Sequence, residues 1–512
     1  MLDFRPDRDP RTPGYLAFVS EMVPVDKGYR SSRAEVDYGP PFTYTLIADE
    51  VYPNKCFASR WNSVAGGIVI VGTNKKLNVL NSTTGYINVS KAGNYSLSGQ
   101  AHQFGEDALA AFDLCAFGDV IIAVNKSAPS QKRNALDLTG ATLFSDLGGA
   151  TAAPQGNTCC VAANFVFIGN CGNWSTVTGS ADILAWSAIG DHTDWRVNPQ
   201  VTQSSYAQFV DTPGAITAVR PFRDGIIVFK ATSMYRGRYV GAGPNSPIWD
   251  FERISDKIGC VGHRSVTNIE QALVFVGWRD VYMYEGTRPQ SITDGIFSLI
   301  QTDLFVGSSR VPLLLGHNQH TNEVWLSGYT RSFIWNYRLN RWGMLSSTQT
   351  AQPVPCDTNV DNLSVITVTS VSGGLPTVST TDDHINLYTL RIIDGVTKNR
   401  NTAATTNCYL TTGWFGQPDK LLTVQRVNPV YTLRPTTLTN VELTAYGSMT
   451  PSDGTALGTA KLNASFRFDT LGPTPNGTIA GSSQNFFTFR IDSRDYVEIV
   501  DVVPKLVAAG ER

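Results

Sequence analysis

The chain has 512 residues, of which 42% are hydrophobic and only 16% are charged, against about 25% charged in an average soluble protein. This composition excludes an intrinsically disordered chain, and the length predicts two or three structural units. The formal net charge of −2, from 41 Lys and Arg against 43 Asp and Glu, argues against a general nucleic-acid-binding protein.

The start of the chain and its apolar runs bear on export and membrane insertion. Residues 1–10 are charged and contain two prolines, where a secretory signal needs an apolar segment. The longest apolar runs, 67–71 and 120–124, have the length of a strand and fall far below the roughly 18 residues of a membrane span. We therefore expect a soluble protein without an export signal.

Cysteine and histidine usage predicts no metal site. The eight cysteines include no CxxC pair, and the adjacent Cys159 and Cys160 have a poor geometry for two zinc ligands. We expect reduced, mostly buried thiols in a reducing compartment. The six histidines are dispersed along the chain and predict no ligand set: His102, His192, His263, His317, His320 and His384.

Residues 1–55 predict an extended arm that packs on a platform formed by the rest of the protein. This segment contains seven prolines and shows few apolar alternations. It is therefore not expected to form a domain of its own.

Residues 56–395 repeat one pattern, a short buried run followed by a polar turn and an alternating strand, which is typical of a β-hairpin. Apart from a short turn at 106–111, helical periodicity is nearly absent. The hairpins begin near positions 68, 120, 165, 226, 273 and 323, which span 255 residues with a mean step of 51. A seventh candidate pairs 363–368 with 385–390.

This all-β repeat predicts a β-propeller of six or seven blades over 56–395. A four-stranded sheet with two apolar faces can cover both only by stacking between neighbours around an axis. The alternative, two unrelated β-sandwiches, does not require hairpins of one pattern at a near-constant step.

Residues 396–512 predict a β-sandwich-like platform domain, whose strands follow a polar linker at 398–402. Its predicted strands are 421–424, 429–433, 441–446, 486–490 and 496–500.

A search for catalytic motifs finds no nucleotide-binding loop, no metalloprotease helix, no serine nucleophile elbow and no calcium loop. The best candidate for chemistry is an acid/base pair of Asp191 and Asp194, with Trp186 and Trp195 as sugar-stacking platforms. The alternative is a connecting loop in which Asp191 caps a turn and Trp195 packs between blades. We favour the loop, because no other blade carries a corresponding carboxylate.

Two further clusters have a functional and a structural interpretation. The aromatic residues Trp325, Trp335, Tyr337 and Trp342 suit carbohydrate binding, although aromatic residues that alternate on one strand are more often core between blades. Residues 235–239 interleave two arginines with tyrosines, which suits a nucleic-acid backbone or a solvated strand edge.

Residues 186–345, about a third of the chain, resemble the tail nozzle, or tail tubular B-like, proteins of short-tailed bacteriophages. The resemblance rests on the order and spacing of a set of segments: 186–191 with Trp195, 224–230 with 233–235, 258–261, 275–286, 292–296, and 322–326 with 336–337 and 341–342.

The resemblance implies a β-propeller with a platform built from terminal segments, assembled as a homohexameric ring in the virion tail. Such a ring sits below the head-to-tail adaptor, leaves a central passage for genomic DNA and carries tail fibres or spikes outside. It implies no catalytic, cofactor-binding or metal-binding residues. It also implies that the ring assembles in the bacterial cytoplasm. This chain lacks an obvious inserted domain after residue 150 or 340, which puts fibre docking in doubt.

Three other functions remain open at the level of sequence. They are a DNA-stabilising tail plug, a propeller glycosidase built on Asp191 and Asp194, and a carbohydrate- or protein-binding propeller. For a conduit, the low charge of the chain predicts a neutral or acidic lumen that does not hold phosphate.

Overall fold

The computed structural model describes residues 3–9, 14–31, 36–37, 42–44, 55–60, 67–72, 77–81, 85–91, 112–126, 128–134, 142–241, 247–304, 314–318, 321–327, 331–346, 351–354, 356–358, 366–370, 386–392, 408–417, 419–433, 441–448, 455–461, 484–493 and 498–508.

The described chain is nearly all β. Its first strands are β1 (Leu16–Ser20), β2 (Met22–Val25), β3 (Gly28–Ser31), β4 (Val36–Asp37), β5 (Phe42–Tyr44), β6 (Lys55–Arg60), β7 (Gly67–Gly72), β8 (Leu77–Asn81) and β9 (Gly85–Asn88). They are followed by β10 (Asp113–Phe117), β11 (Val120–Asn125), β12 (Ala128–Asn134), β13 (Ser145–Asp146), β14 (Thr158–Ala162), β15 (Phe165–Gly169), β16 (Ile183–Trp186) and β17 (Ser205–Gln208).

The middle of the chain contains the one helix of the described residues, α1. Its elements are β18 (Ile216–Phe222), β19 (Gly225–Lys230), β20 (Met234–Tyr239), β21 (Trp249–Ser255), β22 (Val266–Ile269), β23 (Ala272–Val276), β24 (Val281–Tyr284), β25 (Gln290–Ser291), α1 (Phe297–Leu304), β26 (Leu314–Asn318), β27 (Glu323–Ser327), β28 (Arg331–Asn336) and β29 (Arg341–Ser346).

The remaining strands are β30 (Ala351–Val354), β31 (Cys356–Thr358), β32 (Ile366–Ser370), β33 (Asn386–Ile392), β34 (Cys408–Thr412), β35 (Phe415–Gly416), β36 (Leu422–Leu433), β37 (Val441–Ser448), β38 (Thr455–Lys461), β39 (Phe486–Ser493) and β40 (Glu498–Ala508).

Seven sheets follow one another along the chain, and we number them in that order. The first contains β6–β9, and the second to fifth are antiparallel four-stranded sheets of β10–β13, β14–β17, β18–β21 and β22–β25. The sixth, β26–β29, is part of a larger eight-stranded sheet, and the seventh joins β30, β32 and β33 to β4 and β5.

The hairpins predicted from the sequence are the second and third strands of these sheets. The six predicted starts fall at the start of β7, β11, β15, β19, β23 and β27, or within one residue of it, and the seventh candidate corresponds to the paired strands β32 and β33. The sequence did not reveal the fourth strands, because several are short and exposed, as in β13 and β25. The predicted turn at 106–111 lies outside the described residues.

Successive residues of the second strands point into different cores, as the pleat of a strand requires. In β15, Phe165 and Phe167 pack into the core between the third and fourth sheets. Val166 and Ile168 pack into the core between the second and third sheets. Strands β11, β19 and β23 divide their side chains between two cores in the same way, so each of these sheets is buried on both faces.

The first strands of consecutive sheets lie side by side. Strand β6 contacts β10, and the series continues through β14, β18, β22, β26 and β30. One residue after β30, strand β31 pairs in parallel with β6. The series therefore returns to the sheet where it began.

A buried ion pair links the first strands of three of these sheets. Asp113 of β10 and Arg220 of β18 join through Nη1–Oδ2 and Nη2–Oδ1 contacts of 2.9 and 3.3 Å, with side-chain exposures of 0% and 5%. Between them, the Thr158 hydroxyl of β14 donates to Asp113 Oδ2 at 2.8 Å, and the Cys159 amide donates to the same oxygen at 3.1 Å. Arg220 Nη2 also donates to the carbonyl of His263, just before the fifth sheet.

The chain termini add strands to the sixth sheet. Its last strand, β29, pairs with β2, which is followed in the sheet by β3, β40 and β36. Strand β1 pairs instead with β34, in a six-stranded sheet completed by β35, β37, β38 and β39. Gly28, with φ of 143°, is required where β3 meets β40, because a Cβ there would collide with the carbonyl oxygen of Ile499.

The two large sheets share one apolar cluster, which holds Leu410 and Phe487 from one sheet and Val427 and Ile499 from the other. The predicted strands 421–424 and 429–433 are a single twelve-residue strand, β36, whose pairing with β40 shifts register at three points. The predicted boundaries at 55/56 and 395/396 remain predictions.

Helix α1 was not predicted. Ile296 and Ile300 pack into the same apolar cluster, and the Asp7 carboxylate caps the helix by accepting the Ser298 amide at 2.9 Å. Within the described residues, no helix has the length and hydropathy needed to cross a membrane.

We predict that Asp113→Asn strongly destabilises the protein, because it leaves the Arg220 guanidinium buried without its counter-charge. Breaking a buried pair in this way costs about 3–5 kcal/mol of the free energy of unfolding. The measurement is urea denaturation followed by tryptophan fluorescence.

The matched control is Glu270→Gln, which breaks the exposed Arg338–Glu270 pair of 2.8 Å. Exposed pairs contribute about 0–1 kcal/mol, so this variant should unfold close to wild type. Equal midpoints for both variants would contradict a stabilising role for the Asp113–Arg220 pair.

Candidate functional site

The two carboxylates of the predicted acid/base pair lie in the loop between β16 and β17. Asp191 follows the turn residue Gly190, which has φ of 74°. Its Oδ1 accepts the amide of Thr193 at 2.8 Å and the hydroxyl of the same residue at 2.7 Å. Asp191 therefore caps a local turn, as the loop interpretation predicted.

Asp194 is bound by its neighbour Arg196, whose Nε and Nη2 donate to Oδ1 and Oδ2 at 3.0 and 2.9 Å. The Arg196 hydrogen bond lowers the pKa of Asp194. Burial raises the pKa of Asp191, but the hydrogen bonds from Thr193 outweigh it, and the net pKa is below its ordinary value. Both groups are thus ionised at neutral pH, whereas a glycosidase needs one carboxyl group that keeps its proton.

The two tryptophans beside this loop are core residues. Trp195 is 1% exposed and packs between the second and third sheets, with its indole N–H donating to the His192 carbonyl at 2.9 Å. Trp186 is 4% exposed and packs between the third and fourth sheets, donating to the Gln203 carbonyl at 2.9 Å. Neither ring offers a face for a sugar.

The second aromatic set is also internal. Trp335 stacks on Trp342 with ring centroids 6.1 Å apart, and both belong to the large apolar cluster that includes strands of the fifth and sixth sheets. Tyr337 packs against the same cluster, and Trp325 is buried beside Ile334. The prediction of a core position is confirmed for Trp335, whereas Tyr337 follows the end of β28 and is partly exposed.

The arginines of residues 235–239, in β20, each face an acidic side chain. Arg236 lies 3.7 Å from Asp224, and Arg238 lies 3.6 Å from Glu252. Of the flanking tyrosines, Tyr235 is buried and donates to Asp211 at 2.7 Å. The local charge is therefore balanced, which does not favour a phosphate-binding strand.

No metal centre forms within the described side chains, where no three His, Cys, Asp or Glu residues come together. His192, His263 and His317 lie in different parts of the fold, and His102, His320 and His384 lie outside the described residues. Six cysteines have described side chains, and these are free thiols, of which five are buried and Cys115 is partly exposed.

Sequence reasoning missed the Asp113–Arg220 pair, although its side chains are more buried than those of the Arg30–Glu323 ion pair. The two residues are 107 positions apart, and neither belongs to a motif. The sequence signal for a buried charge was Arg220 itself, a charged residue within the mostly apolar strand β18.

No family model matches this chain, and no curated protein matches it. Among solved structures, it is similar to the extracellular domain of a hybrid two-component system of B. thetaiotaomicron, with 9% identity and a TM-score of 0.37. A second structure, described as the extracellular domain of a one-component system of the same organism, has 10% identity and a TM-score of 0.28. Each match covers 75% of this chain and 46% of the other, so the chain spans less than half the length of these structures. Similarity at this level carries no functional argument.

We predict that His317 makes stability depend on pH. Burial lowers its pKa to about 4, and its Nε2 lies 3.3 Å from the Tyr337 hydroxyl. The unfolded chain takes up a proton near pH 6.5, whereas the folded chain does so only near pH 4. The stability contributed by neutral His317 is complete above pH 6.5 and is lost as the pH falls towards 4.

Between pH 7.5 and pH 5 this residue should account for a loss of about 2 kcal/mol. Thermal unfolding of wild type and His317→Gln at both pH values measures it, and the variant should lose less stability on acidification. His192→Gln is the control, because His192 is more exposed and should change the pH dependence less. Identical pH profiles for wild type and His317→Gln would refute the assignment.

Proposed function

We propose that this chain is a β-propeller subunit of the tail nozzle of a short-tailed bacteriophage. Six copies form a ring below the head-to-tail adaptor and leave a central channel for genome ejection. The role is structural, and the resemblance of residues 186–345 to this class of protein supplies its starting point.

The observation that carries the proposal is the order of the seven sheets. Their first strands contact one another consecutively, and β31, which follows the first strand of the seventh sheet, pairs with β6 of the first sheet. Sheets that are apolar on both faces and follow each other in this way favour a seven-bladed propeller in which β31 closes the ring of blades.

The terminal strands support a platform on one side of that propeller. Strands β2, β3, β40 and β36 extend the sixth sheet, and β1 joins the strands after residue 408 in a second sheet. This arrangement fits a platform built from both ends of the chain, as the resemblance implies. The predicted arm is, in this proposal, an integral part of the platform.

A structural role also agrees with the state of the candidate sites. Asp191 and Asp194 are bound by local partners, and the tryptophans beside them are buried. The glycosidase and carbohydrate-binding alternatives therefore have no observation that favours them over the nozzle.

Exposed apolar side chains at one end of the third and fourth sheets suit a permanent contact with the next copy. The Ile189 amide donates to the Thr202 carbonyl, which brings Ile189 close to Val201. The Tyr239 hydroxyl donates to Oε1 of Gln203 at 2.8 Å, which places Tyr239 beside the same loop. Val201 is 77% exposed, and Val240, next to Tyr239, is exposed as well. Closed rings use such a patch against a different surface of the neighbouring copy.

The test of the proposal is immunogold electron microscopy on virions of the phage that encodes the chain, before and after triggered genome release. We expect gold at the distal tail of full and emptied particles, because a nozzle stays in place during ejection. If the gold label is present on full particles and absent from emptied ones, the protein is a plug that leaves with the DNA and not a nozzle subunit. Virions that lack the protein by mass spectrometry would refute both.

We predict that Val201→Asp prevents incorporation into virions, because a charge in an apolar contact must be desolvated. In phage complemented with each variant, particles should lack the Val201→Asp protein and retain the similarly shaped Val201→Thr protein. Both purified monomers should unfold at the wild-type temperature, since the side chain is exposed. Normal incorporation of Val201→Asp would exclude this patch from the interface.

A further inference from the structure

Two free thiols face each other between the second and third sheets. Asp113 of β10 accepts the amide of Cys159 in β14 at 3.1 Å, which sets the spacing of these two strands. Alternate residues of a strand lie on the same face, so Cys115 projects from β10 on the side of Asp113, towards β14. Cys115 packs against the apolar cluster that contains Cys159.

The Cys115 thiol is a direct neighbour of the Cys159 thiol. Burial raises the pKa of Cys159 well above its ordinary value, and a hydrogen bond with the Cys115 side chain raises it further. Cys159 is buried, whereas Cys115 is partly exposed. One member of the pair is therefore partly open to reagents in solution, and the other is buried.

The other nearby thiols are placed differently. Cys160 follows Cys159 along β14 and points into the opposite core, between the third and fourth sheets. Cys171 shares the cluster with Cys159, but its thiol donates to the carbonyl of Ile168 at 3.1 Å. The geometry thus selects Cys115 as the partner of Cys159.

We propose that Cys115 and Cys159 form a disulfide between the second and third sheets when the protein meets a small-molecule disulfide such as glutathione disulfide. This modification site goes beyond the nozzle proposal and does not depend on it.

The reaction consists of two thiol–disulfide exchanges. The Cys115 thiolate attacks one sulfur of glutathione disulfide, forms a mixed disulfide and releases one glutathione thiolate. The Cys159 thiol then loses its proton and attacks the Cys115 sulfur, which expels the second glutathione. Overall, two protein thiols are oxidised to one disulfide, and one glutathione disulfide is reduced to two glutathione molecules.

The second exchange should be the slower one at neutral pH, because the raised pKa of Cys159 keeps its thiol protonated. The product closes a loop of about 45 residues and constrains the unfolded chain, which should raise the unfolding temperature by roughly 5 °C. The bond would join two sheets that already share the Asp113 hydrogen bonds.

The experiment treats the full chain with glutathione disulfide, blocks the remaining thiols with iodoacetamide and maps its peptides by mass spectrometry without reduction. We expect one linked pair of peptides that contain Cys115 and Cys159, two hydrogen atoms lighter than their sum. Glutathione retained on Cys115, or a bond from Cys159 to Cys160 or Cys171, would overturn the proposal.

Matched variants separate the bond from general oxidation. Cys115→Ser should abolish both the linked peptides and the rise in unfolding temperature, and Cys171→Ser should retain both. Cys115 is partly exposed, so its serine variant should fold, which thermal unfolding in reductant verifies. An unfolding temperature that rises equally in Cys115→Ser would also overturn the proposal.

Discussion

The structure depends on sheets that are apolar on both faces. A strand such as β15 sends Phe165 and Phe167 to one side and Val166 and Ile168 to the other, so its sheet exposes hydrophobic surface unless it has a neighbour on each side. Burial of a large apolar side chain is worth about 1.5–3 kcal/mol, and each sheet contributes several. Such a sheet is not stable alone, which explains why each sheet packs between two neighbours.

Where first strands of neighbouring sheets approach each other, the packing includes polar groups. Asp113 and Arg220 are buried, and their hydrogen bonds involve three strands and the His263 carbonyl. A buried ion pair gains little net stability over an apolar pair, but it tolerates only one arrangement of its partners. The pair therefore favours one register between the sheets, while the apolar cores supply the stabilising free energy.

The residues that looked most reactive in the sequence are explained by packing and turns. Tryptophans alternate with other residues in strands because they fill the wide cores, and their indole N–H groups bond to loop carbonyls, as in Trp195 and Trp342. Aspartate is frequent in turns because its carboxylate accepts a backbone amide two residues further on, as Asp191 and Asp194 both do here. The polar groups of these candidate sites are therefore bound within the protein by neighbouring residues.

The sequence by itself determined the β class and the central hairpin of each sheet, because buried β-branched and aromatic runs such as Ile226–Phe229 carry a local periodicity. It also identified Trp335 as a core residue. Only the tertiary structure decided the pairing of β2 with β29, the parallel pairing of β31 with β6, and the contact of Asp113 with Arg220. These contacts join residues far apart in the chain, and their formation depends on how whole sheets stack rather than on any local pattern.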